Sequence, residues 1–145
     1  MRALIQRVTR ASVALGPRVV GDIGPGLLVF LGVQRGDDEQ RAHSMAARLL
    51  AYRVFADDSG RMNLDVRAAG GGVLLVSQFT LAADTTRGLR PGFASAAAPA
   101  LAETLYDEVL QRLLAAHQPV ASGVFGAAMQ VSLINDGPVT FLLET

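Results

Sequence analysis

The sequence predicts a strand-rich, mixed α/β fold in a single domain spanning residues 1–145, with two helices packed on sheet. A chain of 145 residues has the length of one ordinary domain, which buries roughly 70% of its extended-chain surface. Most apolar runs have the length of strands and end at glycine or proline, whereas two longer segments repeat apolar residues at helical spacing.

The first 33 residues predict three strands in succession. Residues 2–14 form a long strand, and Gly16-Pro17 turns the chain into a second strand over 18–23. After Gly24-Pro25-Gly26, residues 27–33 are a continuous apolar run short enough to be a buried strand. We therefore expect a three-stranded opening unit.

The first predicted helix begins near residue 37 and reaches Arg53. Asp37 with Gln40 resembles a capping box. The apolar residues that follow recur at helical spacing: Ala42, Met45, Ala46, Leu49 and Leu50. This pattern indicates an amphipathic helix lying on a sheet.

The middle of the chain alternates strands with turns. Residues 54–55 and 61–66 flank the turn-forming residues 57–60, and a glycine turn precedes a strand over 71–76. Residues 82–98 show no apolar period and predict a long loop, and loops of this length are often functional.

The second predicted helix starts at Pro99, a residue suited to the first helical position, and reaches about His117. Its inward stripe consists of Ala102, Leu105, Tyr106, Val109, Leu113 and Leu114. Two C-terminal strands follow, residues 129–134 and 139–143, with Gly137-Pro138 between them.

Composition excludes several classes of function. The chain has no cysteine, so a disulfide framework, a thiolate nucleophile and cysteine-based metal sites are excluded. Its formal net charge is zero, so any contact with nucleic acid must be local. Charged residues return within the first few positions, and no run of ~20 apolar residues follows, so we expect a soluble, cytoplasmic protein.

Hydroxyl, histidine and carboxylate residues do not form a conventional catalytic set. Ser77 and Thr80 offer hydroxyls, but a hydroxyl nucleophile needs a base within hydrogen-bond reach. His43 and His117 are expected to be solvated surface groups. Thr80 is either a nucleophile or a structural cap at a strand end. Two distant histidines and scattered carboxylates make no ligand set, so neither a metal nor a cofactor is expected.

Two short segments carry the strongest functional signal. Residues 77–81, Ser-Gln-Phe-Thr-Leu, and residues 135–140, Asn-Asp-Gly-Pro-Val-Thr, each lie where a strand meets a loop. Together with the opening segment 3–8, Ala-Leu-Ile-Gln-Arg-Val, they closely resemble the signature motifs of the D-aminoacyl-tRNA deacylase family. The resemblance runs along nearly the whole chain. It implies a three-layer β/β/α fold that works as a homodimer.

The resemblance assigns roles to the second motif. Gly137 places no Cβ near a ligand, so Gly137-Pro138 can present bare carbonyls, although without the resemblance an edge-strand turn is the simpler interpretation of these residues. In the family the matching Gly-Pro is cis, projects into the active site of the other subunit and acts as a chirality filter. Asn135 belongs to the same motif, and Arg7 matches an arginine that holds the loop.

The resemblance also assigns the reaction centre and the adenosine pocket. Ser77, Gln78, Phe79 and Thr80 form the implied catalytic motif, with main-chain N–H groups near Phe79 and Thr80 as oxyanion donors. Phe125 and Met129 match residues that line the pocket for the terminal adenosine. Residues 87–93 resemble a family loop that often has serine where Gly92 stands here.

The implied activity is hydrolysis of the ester that joins a D-amino acid, and also glycine, to the 3′-terminal adenosine of tRNA. Because no base is available, the neighbouring ribose hydroxyl of the substrate is expected to assist. The implied partners are aminoacyl-tRNA and a second copy of the chain. Two alternatives remain open: a catalytically silent RNA- or nucleotide-binding module on the same fold, and a plain structural dimer without an adenosine pocket.

Overall fold

The computed structural model describes all 145 residues. Its helices and strands follow in the order β1 (Arg2–Leu15), β2 (Arg18–Ile23), β3 (Gly26–Gly32), α1 (Glu39–Ala51), β4 (Phe55–Ala56), β5 (Met62–Leu64), β6 (Gly72–Ser77), α2 (Pro99–Ala116), β7 (Val120–Ser122) and β8 (Gln130–Glu144). A short 3₁₀ turn, Phe79–Ala82, follows β6. The predicted opening unit, both helices and the loop over 82–98 are therefore present.

Six strands form one nearly closed sheet. Its order is β2-β1-β3-β6-β7, and β8 pairs with β1. β1 is antiparallel to its partners, whereas β3, β6 and β7 are parallel to one another. The two ends of the sheet approach closely, because a Cβ at Gly21 in β2 would lie 2.7 Å from the carbonyl oxygen of Ser122 in β7. β4 and β5 form a separate two-stranded sheet. β5 covers three residues, fewer than the predicted 61–66, and β4 lies one residue later than predicted.

Apolar side chains are buried in two clusters. The smaller cluster combines residues of β1, β2, β3 and β6: Val8, Ala11, Val13, Ile23, Leu28, Leu74 and Val76. The larger cluster joins the sheet to both helices and includes every residue of the stripe predicted for α1. The stripe of α2 is buried except for Leu114, which is 42% exposed. Burial of these helix faces in one cluster fixes α1 and α2 on the sheet.

Neither helix is long and apolar enough to cross a membrane.

The start of α1 differs from the predicted capping box. The N-cap is Asp38, whose carboxylate accepts the Arg41 N–H at 2.9 Å. Asp37 is buried instead, where it accepts the Gln34 N–H at 2.6 Å and pairs with the α-amino group of Met1 at 2.7 Å. Asp is a favourable N-cap residue at either position, and the ion pair of Asp37 with Met1 leaves Asp38 to cap the helix.

The C-terminal strands also differ from the prediction. Residues 130–144 form one strand, β8, instead of two strands separated at Gly137-Pro138. Gln6 pairs with Thr140 and Val8 pairs with Asn135, so the single residue Arg7 faces the four residues 136–139. This bulge lets Gly137-Pro138 protrude while the strand continues. The short strand β7 was not predicted.

Candidate active site

A pocket of about 340 Å³ lies between the end of β6 and the start of α2. Four residues that the sequence singled out line it: Ser77, Phe79, Phe125 and Met129. The remaining walls are Ala97, Pro99, Ala102, Gly126 and Ala127. The fold therefore joins the first motif to the segment implied to bind adenosine, although almost 50 residues separate them in the chain.

The 3₁₀ turn is held tightly against β3. The Gln78 N–H donates to the Leu31 carbonyl at 2.8 Å, which extends the pairing of β3 and β6 by one residue. A Cβ at Gly32 would lie 2.8 Å from the Leu81 Cβ and 3.0 Å from the Gln78 carbonyl oxygen. Only glycine at position 32 permits this close approach, which fixes where the chain turns after Ser77.

Of the first motif, residues 77–80, only Ser77 and Phe79 line the pocket. Phe79 is 56% exposed and packs against Phe93, with ring centroids 5.0 Å apart. The Gln78 side-chain amide donates to the Thr80 hydroxyl, and neither residue lines the pocket. The N–H groups of Phe79 and Thr80 begin the 3₁₀ turn, where no carbonyl of the turn can accept them, and no turn or loop bond uses them.

The pocket wall at Phe125 rests on a buried tyrosine. Phe125 packs on Tyr106 with ring centroids 5.8 Å apart, and the Tyr106 hydroxyl donates to the Leu75 carbonyl at 3.0 Å. Burial, reinforced by the nearby Asp107 charge, raises the pKa of Tyr106 far above its usual value. The neutral phenol donates to β6 and so supports the pocket wall.

Met129 is fixed by contacts to its sulfur. The Val124 N–H lies 3.4 Å from the Met129 Sδ, and a Cβ at Gly123 would lie 2.6 Å from the same sulfur. An aromatic ring and a thioether thus both line the pocket, and groups of this kind suit the flat face of a base.

The second motif forms a separate cluster around the bulge of β8. The Asn135 side chain donates to the carbonyls of Arg7 and Val139 at 3.1 and 3.0 Å and accepts the Val139 N–H at 3.1 Å. This amide ties together the two ends of the bulge. The Gly137–Pro138 peptide bond between them is cis, and Gly137 has a φ of +150°.

Arg7 links the bulge to the neighbouring chain segment. Its guanidinium donates to the Asp136 carbonyl at 3.0 Å and to the Val54 carbonyl at 2.7 Å, and it pairs with the Asp136 carboxylate at 3.2 Å. The Arg7 side chain is 16% exposed. Solvent therefore screens these bonds less than it would at a free surface, and they restrain the bulge on one side.

The two clusters do not meet within one chain. β8, β1, β3 and β6 are successive neighbours, so Gly137-Pro138 lies three strand spacings from β6. Along the strands, Arg7 faces Leu27, whereas Ser77 faces Leu31. Three strand spacings of about 4.8 Å and the four residues from Leu27 to Leu31, at about 3.3 Å each, separate the bulge from Ser77 by roughly 15–20 Å. None of the second-motif residues lines the pocket.

Neither histidine lies at the pocket. His117 contacts the Gly71 carbonyl at 2.7 Å, near the start of β6 and away from Ser77. His43 on α1 contacts Glu108 at 2.7 Å and Glu39 at 3.2 Å. Both histidines were predicted to be solvated surface groups, whereas both are half-buried and each ring forms a hydrogen bond. The expectation of scattered carboxylates was wrong, since potential metal-ligand atoms of Glu39, His43 and Glu108 lie within 4.8 Å of one another.

Comparison with known proteins identifies the family. Residues 4–144 match the sequence profile of the family described as D-Tyr-tRNA(Tyr) deacylase. The chain belongs to this deacylase family. Among its relatives, the D-aminoacyl-tRNA deacylase of Enterobacter sp. (strain 638) is 60% identical, and that of Citrobacter koseri is 59% identical. Each match covers 99% of this chain and 99% of the relative.

Solved structures share the deacylase fold over the whole chain. The c-Myc DNA Unwinding Element Binding Protein is 40% identical with a TM-score of 0.95, covering 100% of this chain and 99% of that chain. A structure described as a probable eukaryotic D-amino acid tRNA deacylase is 16% identical with a TM-score of 0.82, covering 98% and 97%. The second similarity is one of fold.

Some pocket residues of this deacylase-family chain carried no functional signal in the sequence. Ala97, Pro99 and Ala102 have small apolar side chains with no chemistry of their own. Pro99 and Ala102 were placed at the start and on the inward stripe of α2, and Ala97 in the loop before it. The first turn of α2 forms a wall of the pocket because α2 packs against β6, and the sequence alone does not show this packing.

Proposed function

We propose that this chain hydrolyses the ester between a D-amino acid and the 3′-terminal adenosine of tRNA. The observation that carries the proposal is the pocket of a deacylase-family chain that Ser77 and Phe79 line together with Phe125 and Met129. Its volume of about 340 Å³ lies within the range of small-ligand sites. Its aromatic and thioether groups can hold the terminal base, which places the ester near Ser77–Thr80.

The second part of the proposal is that the active site combines two subunits. The Gly137-Pro138 bulge lies too far from the pocket of its own chain to reach it, which supports a second copy as its source. The outer edge of β8 is free to contact a partner, because β8 pairs only with β1. Exposed apolar side chains follow this strand, namely Ile134, Phe141 and Leu142. A long apolar edge of this kind is normally covered.

A three-layer β/β/α arrangement is also part of the proposal. The smaller apolar cluster lies among strands of the curved sheet, which gives a β/β contact. The larger cluster lies between the sheet and the two helices, which gives a β/α contact. In this layering the end of β6 at Ser77 meets the first turn of α2, and the bulge interrupts β8 between Asn135 and Thr140.

Chemistry in this site depends on the substrate. No histidine or carboxylate lines the pocket, so water must be activated without a protein base. We propose that the ribose hydroxyl beside the ester activates the water, while the N–H groups of Phe79 and Thr80 stabilise the developing oxyanion. Water attacks the ester carbonyl, the carbon–oxygen bond to the ribose breaks, and the ribose oxygen gains a proton. The products are a free amino acid and free tRNA.

Chirality is proposed to be read by backbone atoms of the partner's bulge. A rigid carbonyl at the pocket wall excludes a side chain that projects from the α-carbon in the L configuration. Rejection by a thousandfold requires roughly 4 kcal/mol, which a hard clash supplies and a single lost apolar contact does not. Glycine has no side chain to reject, so glycyl-tRNA is proposed as a second substrate.

The proposal is tested by timing the hydrolysis of D-tyrosyl-tRNA and L-tyrosyl-tRNA by the wild-type protein. We expect at least a thousandfold preference for the D-form, and similar cleavage of D-substrates with small, large, polar and aromatic side chains. Comparable rates on D-tyrosyl-tRNA and L-tyrosyl-tRNA would contradict the proposed exclusion of L side chains. Binding of both without hydrolysis of either would favour a catalytically silent RNA-binding module.

A further inference from the structure

An exposed hairpin stands at the rim of the pocket. Two backbone hydrogen bonds between Asp84 and Gly92, of 2.7 and 2.9 Å, close the segment 84–92, which we call the rim hairpin. Every residue from 84 to 94 is exposed. Its base is anchored beside the pocket, because Phe93 packs on Phe79 and the Ser95 hydroxyl donates to the Ala82 carbonyl.

The rim hairpin presents two arginines that no carboxylate neutralises. Arg87 and Arg90 are exposed and form no ion pair within the chain. The nearby acid, Asp84, is occupied by the hydroxyl and N–H of Thr86 at 2.7 and 2.9 Å, bonds that lower the pKa of its carboxyl. Arg35 is also exposed and unpaired, and its N–H donates to Ser95 at the hairpin base.

The positions of the two arginines limit what they can reach. Arg87 follows Asp84 by three residues, so its Cα lies at most about 10 Å from the closing bonds of the hairpin. Arg90 precedes Gly92 by two residues, which limits its Cα to about 7 Å. Between them Leu89 is fully exposed and has no packing partner in the chain. The hairpin tip therefore carries positive charge close to the pocket mouth and contributes nothing to the core.

We infer that the rim hairpin binds the phosphate backbone of the tRNA 3′ strand just before the terminal adenosine, through Arg87 and Arg90. The inference rests on the proposed function, which places that adenosine in the adjoining pocket. Guanidinium groups suit phosphate because they donate paired N–H groups in a fixed geometry. A chain of zero net charge has no general attraction for RNA, so local contacts of this kind must supply it.

The test compares wild-type protein with the double variant Arg87→Ala/Arg90→Ala. The measurement is kcat/KM for D-tyrosyl-tRNA as the sodium chloride concentration is raised. Loss of two phosphate contacts should lower kcat/KM at low salt by tenfold or more and should flatten the slope against log salt by about 1.5. The loss on D-tyrosyl-tRNA should exceed the loss on D-tyrosyl-adenosine, which has no phosphate, by at least tenfold.

Two controls check that the effect comes from phosphate contacts of the rim hairpin. Arg18→Ala removes another exposed, unpaired arginine, at the turn between β1 and β2. The slope of kcat/KM against log salt in this variant should equal that of the wild type. Binding of uncharged tRNA is titrated in the same salt series, so that the hairpin is tested even if the wild type hydrolyses nothing. Equal losses on both substrates, or an unchanged slope, would overturn the inference. A changed molecular mass with an unchanged slope would assign the hairpin to contact between copies of the chain.

Discussion

The variant Gly137→Ala is expected to lose at least about a hundredfold in D-tyrosyl-tRNA hydrolysis, equivalent to roughly 2.7 kcal/mol. Gly137 has a φ of +150°, a conformation that residues with a side chain rarely adopt. An added Cβ would lie 2.6 Å from both the backbone nitrogen and the Cγ2 of Val139. The bulge must therefore move, and the carbonyls proposed to line the partner's pocket move with it.

The matched control is Gly24→Ala, in the turn between β2 and β3. A Cβ at Gly24 meets no atom within 4 Å, and its φ lies outside the positive range. This variant should keep the wild-type rate and selectivity. Circular dichroism of both variants checks that the sheet is intact. If Gly137→Ala hydrolysed D-tyrosyl-tRNA at the wild-type rate, the bulge would have no part in the reaction.

The second large effect concerns the substrate. Replacing the ribose hydroxyl beside the ester with hydrogen should slow single-turnover hydrolysis by about a hundredfold or more, the usual scale of a lost proton-transfer group. Binding should change little, because the hydroxyl acts in the chemical step. The measurement is the single-turnover rate at saturating enzyme, with the dissociation constant obtained separately.

Thr80→Ala provides the comparison on the protein side. If the substrate hydroxyl assists water, this variant should remain within about tenfold of the wild-type rate, because the Thr80 hydroxyl accepts a bond from Gln78 and does not line the pocket. A nucleophilic Thr80 would instead give a trappable acyl-enzyme, near-complete loss in Thr80→Ala and full activity on the deoxyribose substrate. The altered protein and the altered substrate together distinguish the mechanisms.

Local patterns in the sequence were sufficient for the helices. Pro99 and the apolar stripe define α2, and five buried residues at helical spacing define α1. The exception, Leu114, lies in the last turn of α2, where no neighbour covers the predicted stripe. Periodicity reports which face of a helix is apolar, and only packing decides how far along the helix that face is buried.

Pairing between distant strands could not be predicted in the same way. The unbroken β8 depends on Arg7 facing four residues of the bulge, a register that the local sequence does not specify. β7 is three residues long and is defined by its pairing with β6. The motif residues were found through resemblance to a family. Their division into two clusters became evident only from the strand order.

Each active site is proposed to join the pocket of one subunit to the bulge of the other, and mixing two inactive variants tests this most directly. Ala127→Trp places a bulky ring at the pocket wall, and Gly137→Ala displaces the bulge. A heterodimer of the two has one site with both defects and one site with neither.

The measurement is D-tyrosyl-tRNA hydrolysis by the two variants refolded together in equal amounts, compared with each variant alone. Random pairing makes about half of the dimers mixed, each with one intact site, so about a quarter of the wild-type activity should return. If the mixture stays as inactive as the separate variants while a dimeric mass is recorded for it, pocket and bulge act within one chain and the composite site is wrong.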